Sequence, residues 1–393
     1  MGPSAYRFLL RAPSVRWLLI TSLVARLPSG MVGLAVILQV TRHGGSFSRA
    51  GAVVATYVVG AAVAGPILGR LADRLGRRPV LAASATLKAF GLLLLSVVPV
   101  GDVSGLLLVA AGCGTCTPPV GAAVRSLWPE VVPEGVGDAI YGADATLQEL
   151  VFIAGPAIVA LIGSLASSAA ALQASGLAGL VGTVGLVAHP ALAGRARPGA
   201  RETERARLRP GSIGPLVLVT FLLMTGMGAV EVGVVGFAAA SHASGQSGPL
   251  LALWSLGSMA GGLLVGARAS SGGSRALGWA IAGIGAGFAL LAGAPGVSSF
   301  YVLLVLSGSA IAPGLACLLG VVGSVAPEGA GTEAFSWIAS GTQSGAALGA
   351  ALGGLVVQGL GARLAFLVAA LCALAGAAVA AQRQAAFTGV AQL

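Results

Sequence analysis

The sequence predicts an all-α integral membrane protein with twelve transmembrane helices in two pseudo-symmetric halves of six. Three observations predict it. Apolar stretches of roughly 20 residues, the length that crosses a bilayer as a helix, recur along the whole chain. Charge is scarce: 9% of the 393 residues are charged and 56% are hydrophobic, too few charges to cover a soluble protein of this size. The glycine pattern of the first half also returns in the second. Gly60, Gly65, Gly69, Gly76 and Arg78 recur 197 positions later as Gly257, Gly262, Gly266, Gly273 and Arg275.

The spans fall at roughly 16–40, 50–69, 79–98, 103–125, 139–162, 168–189, 213–239, 248–267, 276–294, 299–323, 333–357 and 360–382. Before the first, Arg7, Arg11 and Arg16 imitate a secretory signal, but the apolar run continues past Arg26 to Val40. It reads as a retained helix. The fourth span contains Cys113 and Cys116 at redox or zinc spacing, in "AGCGTCTPPVG". Set mid-membrane with no histidine nearby, they read as packed core cysteines. The longest polar segment, 193–212, follows the sixth span and is rich in Arg, Pro and Gly. It divides an N-terminal half (1–192) from a C-terminal half (213–393). Two related six-helix halves are a transporter architecture. Trp128, Trp254 and Trp337 read as interface anchors or packing, and runs such as "SGAALGAALGG" as close helix contacts.

The net charge of +10 would suggest nucleic acid in a soluble chain. In a membrane protein it is a topology signal. With both termini inside, 17 of the 22 basic residues lie in cytoplasmic segments, and only Arg42, Arg49 and Arg363 lie in outer loops. The expectation is a multi-pass protein of the bacterial plasma membrane, termini cytoplasmic, working as a monomer without a nucleic-acid partner. The basic linker is free to touch anionic lipid.

One stretch breaks the avoidance of charge: "GRLADRLGRRPVL", 69–81, between spans two and three. Through Gly69, Leu71, Ala72, Asp73, Arg74, Gly76, Arg77, Arg78 and Leu81 it resembles the signature loop of the major facilitator superfamily. The resemblance implies that Asp73 meets the start of span eleven, latching the halves together when the cavity opens outward. A helix N-terminus favours a carboxylate there. Span eleven begins "GTEAFSW", however, which sets Glu333 where Asp73 should dock. Three resolutions are open: an arginine of the loop bridges the two acids, Glu333 is protonated, or Glu333 points elsewhere.

Ionisable residues inside spans cost roughly 2.5–3.5 kcal/mol on insertion scales and are functional candidates. Arg26 lies ~15 Å into span one at ~1.5 Å per residue, and Lys88 at a similar depth in span three. Asp144 and Glu149 lie in span five, Glu149 nearer the midplane, and Glu231 lies in the outer half of span seven. The resemblance implies that spans one and seven line the cavity. Arg26 needs an acid, and Glu149 and Glu231 are its expected partners. These three are the coupling candidates. Pro28 and Gly30 are expected to kink or open the helix beside Arg26. Asp144, which shares a helix face with Gln148, is assigned to the inner gate, and Lys88 to packing against a polar partner. Gly155-Pro156 resembles part of the span-five motif of proton-coupled drug antiporters, although Ala160 and Leu161 replace its closing glycines. Their span-four arginine is missing.

No metal cluster, phosphate loop or nucleophile motif is present in the sequence, so neither an enzyme nor a cofactor is expected. The expected function is proton-coupled efflux of a small amphipathic compound, a drug, antibiotic or secondary metabolite, by alternating access. A proton-coupled nutrient importer is the alternative. A lipid flippase and a non-transporting membrane sensor stand behind it.

Overall fold

The computed structural model describes residues 11–133, 137–193, 210–241, 247–266, 273–327 and 329–384. Helices carry almost all of them, and no strand occurs among the described residues. The first half comprises α1 (Pro13–Arg42), α2 (Phe47–Leu75), α3 (Arg77–Val97), α4 (Val103–Thr115), α5 (Val120–Arg125), the short α6 (Trp128–Val131), α7 (Gly137–Leu165) and α8 (Ser168–Val187). The second comprises α9 (Pro210–Ala240), α10 (Ser247–Gly266), α11 (Gly273–Ala292), α12 (Val297–Ser309), α13 (Ile311–Val325), α14 (Gly331–Leu360) and α15 (Ala362–Gln382). Helices α4 and α5 are two pieces of span four, and α12 and α13 two pieces of span ten. The described rods therefore number twelve. Ten of them are long and apolar enough to cross a membrane. The other two, α10 and α14, fill the remaining places in the bundle.

Helix ends follow local chemistry. Ser46, Asp102 and Ser167 cap α2, α4 and α8, each accepting the backbone N–H three residues on. Gly76 joins α2 to α3 at φ 99°, a conformation that side chains other than hydrogen rarely adopt. Span four breaks where Pro118 and Pro119 remove two consecutive N–H donors. Pro28 does not open α1, which runs as one helix from Pro13 to Arg42. Its ring packs against Gly179 of α8.

The halves mirror each other in their packing. In the first, α1 packs on α7 and α8, α2 on α4, and α3 on α8; in the second, α9 packs on α14 and α15, α10 on α12, and α11 on α15. The repeat extends to single contacts. Gly114 sits against the Tyr57 carbonyl, and Gly308 against the carbonyl of Trp254, 197 positions after Tyr57. The linker residues 194–209 and Ser270, the counterpart of Asp73, lie outside the described residues.

An even number of crossings puts Pro13 and Gln382 at one end of the bundle, the near end. Between the halves, α2 packs on α14, α5 on α14, and α7 on α10 and α13. The residues that meet lie toward the near end: Gly65 and Gly69 against Ser336, Ser126 against Gly331, Tyr141 against Gly323, and Thr146 against Gly262. The near end is closed. At the far end Arg42, Arg49 and Arg363 donate to the carbonyls of Gly163, Val100 and Ala294, each within one half.

Candidate transport site

At the near end the carboxylate of Asp73, on the last turn of α2, accepts the backbone N–H of Thr332 at 3.2 Å and of Glu333 at 2.8 Å. These are unsatisfied donors of the first turn of α14, where the helix also carries partial positive charge. Gly69 allows the approach, since a Cβ there would lie 2.8 Å from the Thr332 carbonyl oxygen. The Glu333 side chain turns to Arg70, whose Nε lies 3.4 Å from its carboxylate, while the charge of Arg77 acts on Asp73. No single arginine bridges the two acids: the Glu333 side chain points away to Arg70, the third of the three resolutions. Arg77 also reaches Glu130 at 3.7 Å. Arg78 donates to the His189 carbonyl at 3.0 Å. Ser126 adds a hydroxyl contact to Thr332 across the halves, at 3.2 Å.

Deeper in the first half lies an ion triad. Arg26 on α1 approaches Asp144 on α7 to 2.8 Å, with the two side chains only 4% and 0% exposed. Arg125, the last residue of α5, donates its Nε–H to the other carboxylate oxygen at 2.6 Å. The expected partners of Arg26, Glu149 and Glu231, are therefore corrected: its acid is Asp144. Arg26 is also sealed inside the half. Among the described residues none of its three guanidinium nitrogens has a hydrogen-bond partner, the approach to Asp144 being an ion pair.

Glu149 and Glu231 stand on opposite halves instead. Thr146, one turn before Glu149, lies against Gly262 of α10, so that face of α7 looks at the second half. Val151 and Gly155 hold the opposite face of α7 against Gly30 of α1. That close approach is what the glycine of Gly155-Pro156 provides. Glu231 on α9 is exposed and stands near enough for the Glu149 charge to act on it. Among the described residues neither carboxylate has a hydrogen-bond or ion-pair partner. Gln148 is half-buried beside them. Exposed Ile153 and Val235 continue the two faces as apolar wall. The site is thus a pair of free acids on opposite halves, flanked by hydrocarbon.

Lys88 is 5% exposed and donates to the Tyr57 hydroxyl at 2.8 Å, inside the first half and away from the cleft. Trp128 and Trp254 are buried, while Trp337 is exposed. Two contributors have no strong sequence signal: Arg125, which reads as a topology charge, and Tyr57, which reads as one more apolar residue of span two.

The comparisons agree with this architecture. Residues 18–267 match the Major Facilitator Superfamily, and the chain belongs to that family. No curated protein sequence matches it. Among solved structures, a bacterial homologue of the iron transporter ferroportin in an outward-facing state is similar at TM-score 0.76 and 18% identity, over 93% of this chain and 98% of that one. The human organic anion transporter MFSD10 (TETRAN) is similar at TM-score 0.72 and 16% identity, over 94% and 100%. The E. coli fucose:proton symporter FucP follows at 0.68 and 15%, over 95% and 98%. At such identities these likenesses show the fold.

Proposed function

We propose that the protein is a proton-coupled exporter of a small amphipathic compound, with its near end in the cytoplasm. The excess of arginine in near-end segments supports the orientation. In that orientation the closed end faces the cytoplasm and the cleft faces outward.

The facing pair Glu149 and Glu231 carries the reading. Two carboxylates without a cation, set between apolar walls, are relieved by taking up a proton. In the outward-open state they load protons from outside as the substrate departs. The protonated, uncharged cleft then closes, and the Asp73 latch separates. Facing inward, the pair gives its protons to the cytoplasm and the next substrate binds. Arg26 and Asp144 neutralise each other off the path, and Asp73 and Glu333 hold the gate, which leaves these two glutamates as the proton carriers.

Everted vesicles with an inside-acid gradient test the reading. A panel of amphipathic antibiotics is added to vesicles carrying wild type, Glu149→Gln or Glu231→Gln. At least one compound is expected to dissipate the gradient with wild type and not with the glutamine variants. Proton movement that survives both substitutions, or none with any compound, overturns the proposal.

A further inference from the structure

A second buried feature has no part in that cycle. A small cavity lies inside the first half, lined by Ala25 and Pro28 of α1, Lys88 of α3, Pro118 at the break of span four, and Ser175 and Gly179 of α8. It has room for about one particle the size of water. Its polar side chains are Lys88 and Ser175. The Lys88 ammonium carries three N–H groups and spends one on the Tyr57 hydroxyl, with its charge 5.3 Å from that ring's centre. Ser175 is fully buried and its hydroxyl has no partner among the described residues.

No acid lines the cavity. The acids of this half whose side chains are described all stand elsewhere. Asp73 holds the latch, Glu130 faces Arg77, Asp144 sits between two arginines, Asp102 caps α4, and Glu149 faces Glu231. A buried ammonium with no carboxylate is costly in hydrocarbon unless an anion accompanies it. We propose that this cavity is a binding site for a small monatomic anion, chloride, held between the Lys88 ammonium and the Ser175 hydroxyl. The ion neutralises Lys88 and ties α3 to α8 next to the break of span four. The proposal stands independently of the direction and coupling of transport.

Thermal unfolding of the detergent-purified protein tests it, in chloride, bromide or gluconate at fixed pH and ionic strength. Chloride and bromide are expected to raise Tm saturably over gluconate, as a ligand of the folded state does. The rise disappears in Lys88→Met. In Ser175→Ala its midpoint moves to about tenfold higher concentration, the worth of one hydrogen bond to a charged group. Crystals soaked in bromide are expected to show an anomalous peak between Lys88 Nζ and Ser175 Oγ. A Tm indifferent to halide, a halide effect unchanged in both variants, or a bromide-soaked cavity without a peak overturns the proposal. Should Lys88→Met fail to fold, the Ser175→Ala midpoint and the peak decide it.

Discussion

Asp144→Asn is the most informative single substitution, because it removes the acid from between two arginines and keeps the side-chain shape. In the native protein the carboxylate lies 2.8 Å from Arg26 and 2.6 Å from Arg125, and it is fully buried. At an effective dielectric of about 20, each contact carries roughly 6 kcal/mol of attraction before desolvation is counted. Net costs of breaking a buried pair are smaller, about 3–5 kcal/mol, because the stranded charge dominates. Here two guanidiniums are stranded, one of them 4% exposed. At roughly 2 °C per kcal/mol, the Tm in detergent should fall by about 6–10 °C. The double variant Arg26→Met with Asp144→Asn restores the net charge and is expected to melt above Asp144→Asn alone. Glu149→Gln, which touches no cation, is expected to stay within about 1 °C of wild type. A double variant no more stable than the summed singles would refute the triad. So would a Glu149→Gln loss equal to that of Asp144→Asn, since it would give Arg26 back to Glu149.

Three further outcomes follow from the near end. Asp73→Asn leaves one carbonyl oxygen for two N–H donors, so about 1–2 kcal/mol of latch is lost; a cysteine placed beside Ser336 should become several-fold more reactive from the near side. Gly69→Ala puts a Cβ within 2.8 Å of the Thr332 oxygen, which wedges α2 from α14 and should raise the same reactivity without touching a charge. Burial, and then the Arg78 charge, hold the His189 imidazole below its ordinary pKa. Its Nδ1 accepts the Ala191 N–H at 3.2 Å, which the protonated ring cannot do. The folded state therefore binds its proton later than the unfolded chain. The stabilisation is full above about pH 6.5 and is lost progressively as pH falls below it; a melting series from pH 8 to 5 should show a drop that His189→Gln flattens.

The spans were legible because a bilayer demands long apolar runs, and the Asp73 latch because thirteen residues of signature lie in the right loop. The partner of Arg26 was not legible. Depth in the sequence put Arg26 near Glu149, but both α1 and α7 start at the near end, so their side chains lean that way. The long arginine stem lets its head descend to Asp144, where Arg125 already waits. Nor was the break in span four legible: the Pro118-Pro119 pair was in view, but the apolar count on both sides carried the reading straight through it. The Glu333 problem had three solutions in sequence, and only the position of Arg70 chose among them.

That break has a consequence for how the parts communicate. Six-residue α5 begins just after it and ends at Arg125 and Ser126. Arg125 is bound inward to Asp144, and through it to Arg26; Ser126 is bound across the halves to Thr332, whose own N–H meets Asp73. The triad and the latch therefore share one short rod that begins after two prolines. When α14 leaves, Ser126 is released while Arg125 stays anchored by charge. The triad thus fixes α5 to its own half, so that the near end parts along the hydrogen bonds to α14, about 3 Å long and exchangeable with water, and not through the ion pairs behind them. The charges buried deepest hold each half rigid, and the weaker contacts between halves are the ones left free to alternate.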